Sequence, residues 1–148
     1  EKSEGLHQNA EKQRCIFIFG QQADRVQKIG LNIHELSQNW SYLPFQDIEK
    51  SMNELADFVD MSNATLVVDL EKGLNAEKQK LVLDYIDSET QGVLMLFVSS
   101  KPSFQLLEAG LIGEQLHERL QKCEFSVDRL PIDRTALKDV LEMLYFQS

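Results

Sequence analysis

Short unbroken apolar runs alternate along this chain with stretches in which apolar residues recur at helical spacing. Cys15-Ile-Phe-Ile-Phe19 is continuous and stops at Gly20, the pattern of a strand buried on both faces. Val26, Ile29, Ile33 and Leu36 follow as one face of a helix. Ile48, Met52, Leu55 and Phe58 repeat that spacing and predict a second helix over 47–59. Ala64-Thr-Leu-Val-Val-Asp69 reads as another buried strand, ending in a carboxylate. Asn75 suits the N-cap of a helix carrying Leu81, Val82, Tyr85 and Ile86. Val93 to Val98 is a further apolar run, closing on Ser99-Ser100. Helices around 104–108 and 113–121 and a strand at 123–127 complete the set. Such alternation predicts an α/β sandwich with a largely parallel sheet. Ligands of such sheets bind beyond the carboxyl ends of the strands. Three segments lie there: Gly20–Asp24, Asp69–Glu71 and Ser99–Lys101.

The 148 residues suit one domain, and 43% hydrophobic with 26% charged residues is ordinary for a globular protein. Fifteen Lys and Arg against 24 Asp and Glu give a net charge of −9, which repels a phosphate backbone and argues against nucleic-acid contact by this segment. Cys15 and Cys123 both lie in apolar runs and are expected to be buried reduced thiols of a cytoplasmic protein. No apolar run approaches the ~18 residues that span a membrane. Residues 1–14 are read as a polar leader. Glu142-Met-Leu-Tyr-Phe-Gln-Ser148 differs only at Met143 from a protease site common in expression tags. Residues 141–148 are therefore expected to be either a native helix start or a tag remnant, and carry no functional argument.

The strand-end segments are poor in recognisable chemistry. A phosphate loop needs glycines that let backbone N–H groups converge, a Lys for the terminal phosphates and a Ser or Thr for magnesium. Gly20-Gln-Gln-Ala-Asp-Arg-Val26 keeps the first Gly, puts Val26 at the Lys position and places the anionic Asp24 nearby; Arg25 is the one cation. After Asp69, Leu70 stands where a second, water-polarising acid is expected, and Glu71 comes one residue late. His7, His34 and His117 lack metal-ligand spacing, and Ser99-Ser100 lacks the setting of a nucleophile elbow. Asp47, Glu49, Glu54, Asp57 and Asp60 are expected to be the solvated face of one helix.

Taken together these segments resemble the AAA+ ATPase domain of sigma-54-dependent transcriptional activators. The family's G-E-S-G-T-G-K-E-x-x-A-R-x-I-H-x-x-S runs without a gap over Gly20 to Ile33-His34-Glu35-Leu36-Ser37, with Pro44-Phe45 beyond it. Its G-T-L-F-L-D-E is matched by Ala64–Leu70, and its later Gln by Gln79. Its A-A-T-N … G-R-F-R-E-D-L-Y-Y-R-L falls on Val98–Ser100 … Gly110–Leu120, and its L-P-P-L-R-E-R on Leu130–Ala136. The resemblance covers about residues 15–140. It implies an α/β three-layer sandwich with a mainly parallel five-stranded sheet, P-loop NTPase (AAA+)-like, without the helical lid subdomain, which would begin where the chain stops.

The departures from the family pattern shape the functional expectation. The nucleotide Lys aligns with Val26, the catalytic acid with Leu70 and the sensor Asn with Ser100. Of two arginines that reach a neighbouring subunit's nucleotide, one is Gly113 and only Arg119 remains. Phe45–Ala64 is too short for the G-A-F-T-G-A loop that touches the sigma factor, and Ser88–Gly92 too short for the second loop. The resemblance thus implies a non-catalytic domain of a bacterial sigma-54-type regulator, acting in protein–protein interaction or signal regulation, with no cofactor and no metal. Gly20, Arg25, Val26, Asp69 and Ser100 would be a vestigial nucleotide site, and Arg119 a subunit contact in self-association or with a protein partner. One alternative is a sensor that binds nucleotide without hydrolysis through Arg25, Asp69 and Arg119. Another is a receiver-like signalling domain, which needs acids after the first strand that Gly20-Gln-Gln-Ala does not supply.

Overall fold

A computed structural model describes residues 15–61, 63–88 and 93–145. The expected polar leader, with His7, lies outside these residues, as do most of the 88–92 connection and the last three positions.

Each strand sorts its side chains by alternation between two faces. Strand β1 (Cys15–Phe19) sends Ile16 and Ile18 to one side and Phe17 to the other. In β4 (Val93–Ser99), Leu96 joins the first side while Val93, Met95 and Phe97 join the second. Strand β3 (Ala64–Asp69) sends Ala64, Leu66 and Val68 to the second side. Both faces of these strands are apolar, so both must be covered. The first is covered by α1 (Ala23–Ser37) and by α7 (Arg134–Tyr145), through Val26, Ile29, Ile33, Leu137 and Leu141. The second is covered by α2 (Phe45–Ile48), α3 (Leu55–Val59), α4 (Ala76–Asp87), α5 (Ser103–Glu108) and α6 (Glu114–Gln121). Each fully buried Leu, Ile or Phe in these layers contributes about 1.5–3 kcal/mol of transfer free energy.

With β2 (Ser41–Pro44) and β5 (Glu124–Ser126), the described residues form one five-stranded sheet in the order β2-β3-β4-β1-β5. Every pairing is parallel. This is the expected three-layer α/β sandwich. The order also excludes the receiver-like alternative, because that doubly wound plan runs 2-1-3-4-5 whereas here β1 lies between β4 and β5.

Two local expectations are corrected. The apolar spacing of 47–59 predicts one helix, yet the chain forms α2, a 3₁₀ turn at Glu49–Ser51 and α3. The break is chemically fixed. Lys78, only 7% exposed, donates through Nζ to the Met52 carbonyl at 2.5 Å and to Asn53 Oδ1 at 3.2 Å. Asp57 Oδ2 accepts from the N–H groups of Asn53 and Glu54 and restarts the helix as a capping box. The five acids from Asp47 to Asp60 therefore do not share one helix face. The final helix begins at Arg134, not at 141, and Leu137 and Leu141 are in the core.

Candidate functional site

The carboxyl ends of β1, β3 and β4 meet as expected, but their contacts differ from those of a phosphate loop. Helix α1 begins at Ala23, with only Gly20, Gln21 and Gln22 between it and the end of β1. The Gly20 N–H donates to the Ser99 carbonyl at 3.1 Å, and the N–H groups of Arg25 and Val26 both donate to the Gln22 carbonyl. These three amides are thus bonded within the protein, the latter two as the first turn of α1. A Cβ placed on Gly20 would collide with a methyl of Val127, a fully buried residue just past β5. The volume beside Gly20 is filled by that side chain.

Val26 is 8% exposed and lies in the core beneath α1 and α7. Arg25 turns toward the far edge of the sheet. Its Nε donates to the Val127 carbonyl at 2.9 Å and its Nη2 to the Leu130 carbonyl at 2.8 Å. These bonds tie α1 to the 3₁₀ turn Val127–Arg129 that follows β5. Asp24 is exposed.

At the end of β3, Asp69 Oδ1 accepts from the Glu71 N–H at 3.1 Å, and Gln46 accepts from the Asp69 N–H and donates to its carbonyl. Asp69 thereby caps the 3₁₀ turn Leu70–Lys72. Leu70, at the catalytic acid's position, is 1% exposed and part of the core. The turn carries Glu71 across to β4. Its Oε1 accepts from the Ser100 N–H at 2.9 Å and its Oε2 from the Ser100 hydroxyl at 2.6 Å. These bonds hold the Glu71 carboxyl below its usual range, the Ser100 hydroxyl chiefly, opposed by partial burial and aided by the Ser100 N–H and the Lys101 charge. Sequence spacing alone leaves Glu71 pointing elsewhere; the 3₁₀ turn brings it to the sensor position.

Arg119 lies at the opposite end of the sheet. The Cys123 thiol, whose Sγ is 3.5 Å from the Cys15 Sγ at the start of β1, points to the Arg119 carbonyl at 3.9 Å. The structure does not bring Arg25, Asp69 and Arg119 together: Arg25 is bonded to the Val127 and Leu130 carbonyls past the end of β5, Asp69 caps the turn after β3, and Arg119 is bonded to Asp87 near the start of β1. The Arg119 guanidinium forks onto Asp87 of α4, Nε to Oδ1 at 2.7 Å and Nη2 to Oδ2 at 3.0 Å. That pair holds the Asp87 carboxyl below its ordinary range, through the Arg119 hydrogen bond first. It borders a cleft of about 680 Å³ between α4 and α6. Gln79 spans the same region, donating to the Leu74 and Leu111 carbonyls and accepting from the Gly113 N–H.

Of the two described histidines, His34 has its partners within the fold. His34 Nδ1 is 2.9 Å from the hydroxyl of buried Thr65, and its ring lies against Tyr42. His117 Nε2 is buried with no hydrogen-bond partner among the described residues. Among those residues no cluster of three or more His, Cys, Asp or Glu is placed to hold a metal ion. No helix among them is long and apolar enough to cross a membrane.

The chain is similar in fold to the P-loop NTPase domain of a sigma-54 transport activator from E. coli, with a TM-score of 0.61 and 16% identity over 84% of this chain and 90% of that one. It is also similar to a mutant of RuvB from Thermotoga maritima, with a TM-score of 0.50 and 15% identity over 95% of this chain but 47% of that one. No curated protein matches the sequence. The family model of the sigma-54 interaction domain matches residues 3–130. The match covers most of the chain and takes in the five described strands, the strand-end segments and helices α1 to α6; the chain belongs to the sigma-54 interaction domain family.

Proposed function

We propose that this domain is a non-catalytic member of its family that works through contact with protein, not through ATP turnover. The observation that carries the reading is the closed β1–α1 connection. The Gly20, Arg25 and Val26 amides are bonded internally, Val26 is buried at the Lys position, and Val127 fills the volume beside Gly20. A phosphate seated beside Gly20 would have to break its bond to Ser99 and displace the Val127 side chain. Transition-state stabilisation in phosphoryl transfer is almost entirely positioning and electrostatics. Here the acid position is a core leucine and Arg25 is held by two carbonyls.

The contacts by which the family resemblance would act are folded down or engaged within the chain, and one exposed aromatic residue supports contact with protein. The 45–63 segment, where the family carries its sigma-contacting loop, is folded down through buried Phe45, Met52 and Phe58. Arg119 is engaged within the chain by Asp87. Trp40, 86% exposed just before edge strand β2, is of a residue type that anchors protein interfaces. A sensor that binds nucleotide without hydrolysis is not favoured, since its three ligands are dispersed. Phosphate release from ATP with magnesium tests the reading. Release indistinguishable from protein-free buffer is expected, and turnover that scales with protein concentration would overturn it.

A further inference from the structure

The two cysteines are 108 positions apart in sequence, yet their sulfurs are 3.5 Å apart. Cys15 opens β1, and Cys123 lies in the turn between α6 and β5, where its carbonyl accepts from the Phe17 N–H at 2.9 Å. The adjoining residues are paired in parallel register, so the backbone already holds the two side chains side by side. Closing to a bond of about 2.05 Å asks for side-chain rotation while the strands stay paired.

We propose that Cys15 and Cys123 are a peroxide-responsive dithiol, closing reversibly to a disulfide that fastens the start of β1 to the α6–β5 turn.

The two thiols differ in the way such a pair requires. Cys15 is half-buried and within reach of a small oxidant, whereas Cys123 is 4% exposed. The Arg119 guanidinium, bonded chiefly to Asp87, also lies close enough to Cys15 for their charges to interact. Cys123 is pushed well up by its hydrogen bond with Cys15 and by burial, so it stays protonated. In the first step the Cys15 thiolate attacks one oxygen of hydrogen peroxide. The S–O bond forms, the O–O bond breaks, and the departing hydroxide takes a proton to leave as water. In the second, the Cys123 sulfur attacks the Cys15 sulfur of the sulfenic acid. The S–S bond forms, the S–O bond breaks, and the hydroxide leaves with the Cys123 proton as water. Two thiols are oxidised by two electrons in all, and one peroxide is reduced to two waters. Disulfides of this kind in reducing compartments are characteristically sensing rather than structural.

The test treats the reduced full chain with hydrogen peroxide at neutral pH, then alkylates and maps peptides by mass spectrometry. The expected product is a monomeric chain lighter by two hydrogens, with one cross-linked peptide pair containing Cys15 and Cys123, reversed by dithiothreitol. Closing so long a loop is expected to raise Tm by roughly 10 °C. Cys15→Ser and Cys123→Ser should each abolish both changes, and the wild-type peptide map decides the matter if either variant fails to fold. Both cysteines alkylated after treatment, separate oxidation of each to sulfinic or sulfonic acid, or disulfides only between chains would overturn the proposal.

Discussion

The Glu71 carboxylate grips Ser100 at two points, its backbone N–H and its hydroxyl, and so joins the end of β3 to the end of β4. Because these bonds favour the charged carboxylate, its folded pKa lies below the ordinary value of 4.5. The stabilisation is therefore complete above that value and is lost as pH falls through the lower folded one. Glu71→Gln should cost about 1 kcal/mol at pH 7, a modest figure because the residue is largely solvated. Urea denaturation at pH 7, 5, 4 and 3 should show the gap between wild type and variant closing as the pH falls. A gap that is constant or widens in acid would contradict the bond.

Lys78 divides the segment between β2 and β3 by holding the Met52 carbonyl inside the protein. Lys78→Ala leaves that carbonyl without its donor and removes the contact to Asn53. The cost should be about 2–3 kcal/mol, read as a lower urea midpoint. A loss below 0.5 kcal/mol, roughly the scale of a surface substitution, would mean that the amine does not organise the segment.

Installing a lysine at the nucleotide position should not revive it. Val26→Lys puts an ammonium among Ile29, Val127 and Leu137, and desolvation should cost about 2–4 kcal/mol. The variant should melt earlier and be no more stabilised by ATP and magnesium than the wild type. ATP-dependent stabilisation gained by Val26→Lys would show that the β1–α1 connection can open around phosphate.

Gly20 and Val127 occupy one space between them. Gly20→Ala should cost about 1–3 kcal/mol through the forced contact. In a Val127→Ala background the same substitution should cost much less. A double-mutant cycle by chemical denaturation measures that coupling, and strict additivity would exclude the contact.

Apolar runs buried on both faces were readable without help. Cys15–Phe19 and Ala64–Asp69 are strands at the limits that the pattern implies, and Asn75 caps α4 by accepting from the Lys78 N–H. Strand β2 left no comparable mark. Ser41-Tyr-Leu-Pro44 is short and half-exposed at the sheet edge, so it lacks a continuous apolar signature. Helical spacing over 47–59 persisted because Met52 and Phe58 do face the core, but spacing carries no information about a buried amine arriving from α4. The site divides in the same way. The absence of a Lys and of the second acid could be read directly. The direction of Arg25 depends on carbonyls 102 and 105 residues away. Glu71 reaches Ser100 only because a 3₁₀ turn intervenes. Neither contact has a local sequence signature.

Isothermal titration of the domain with ATP and magnesium tests the central claim most directly. With the Gly20, Arg25 and Val26 amides internally bonded and Val127 beside Gly20, no saturable heat is predicted, together with an unchanged Tm. Saturable binding accompanied by a Tm rise of several degrees would contradict the account, because a ligand that binds the native state must stabilise it.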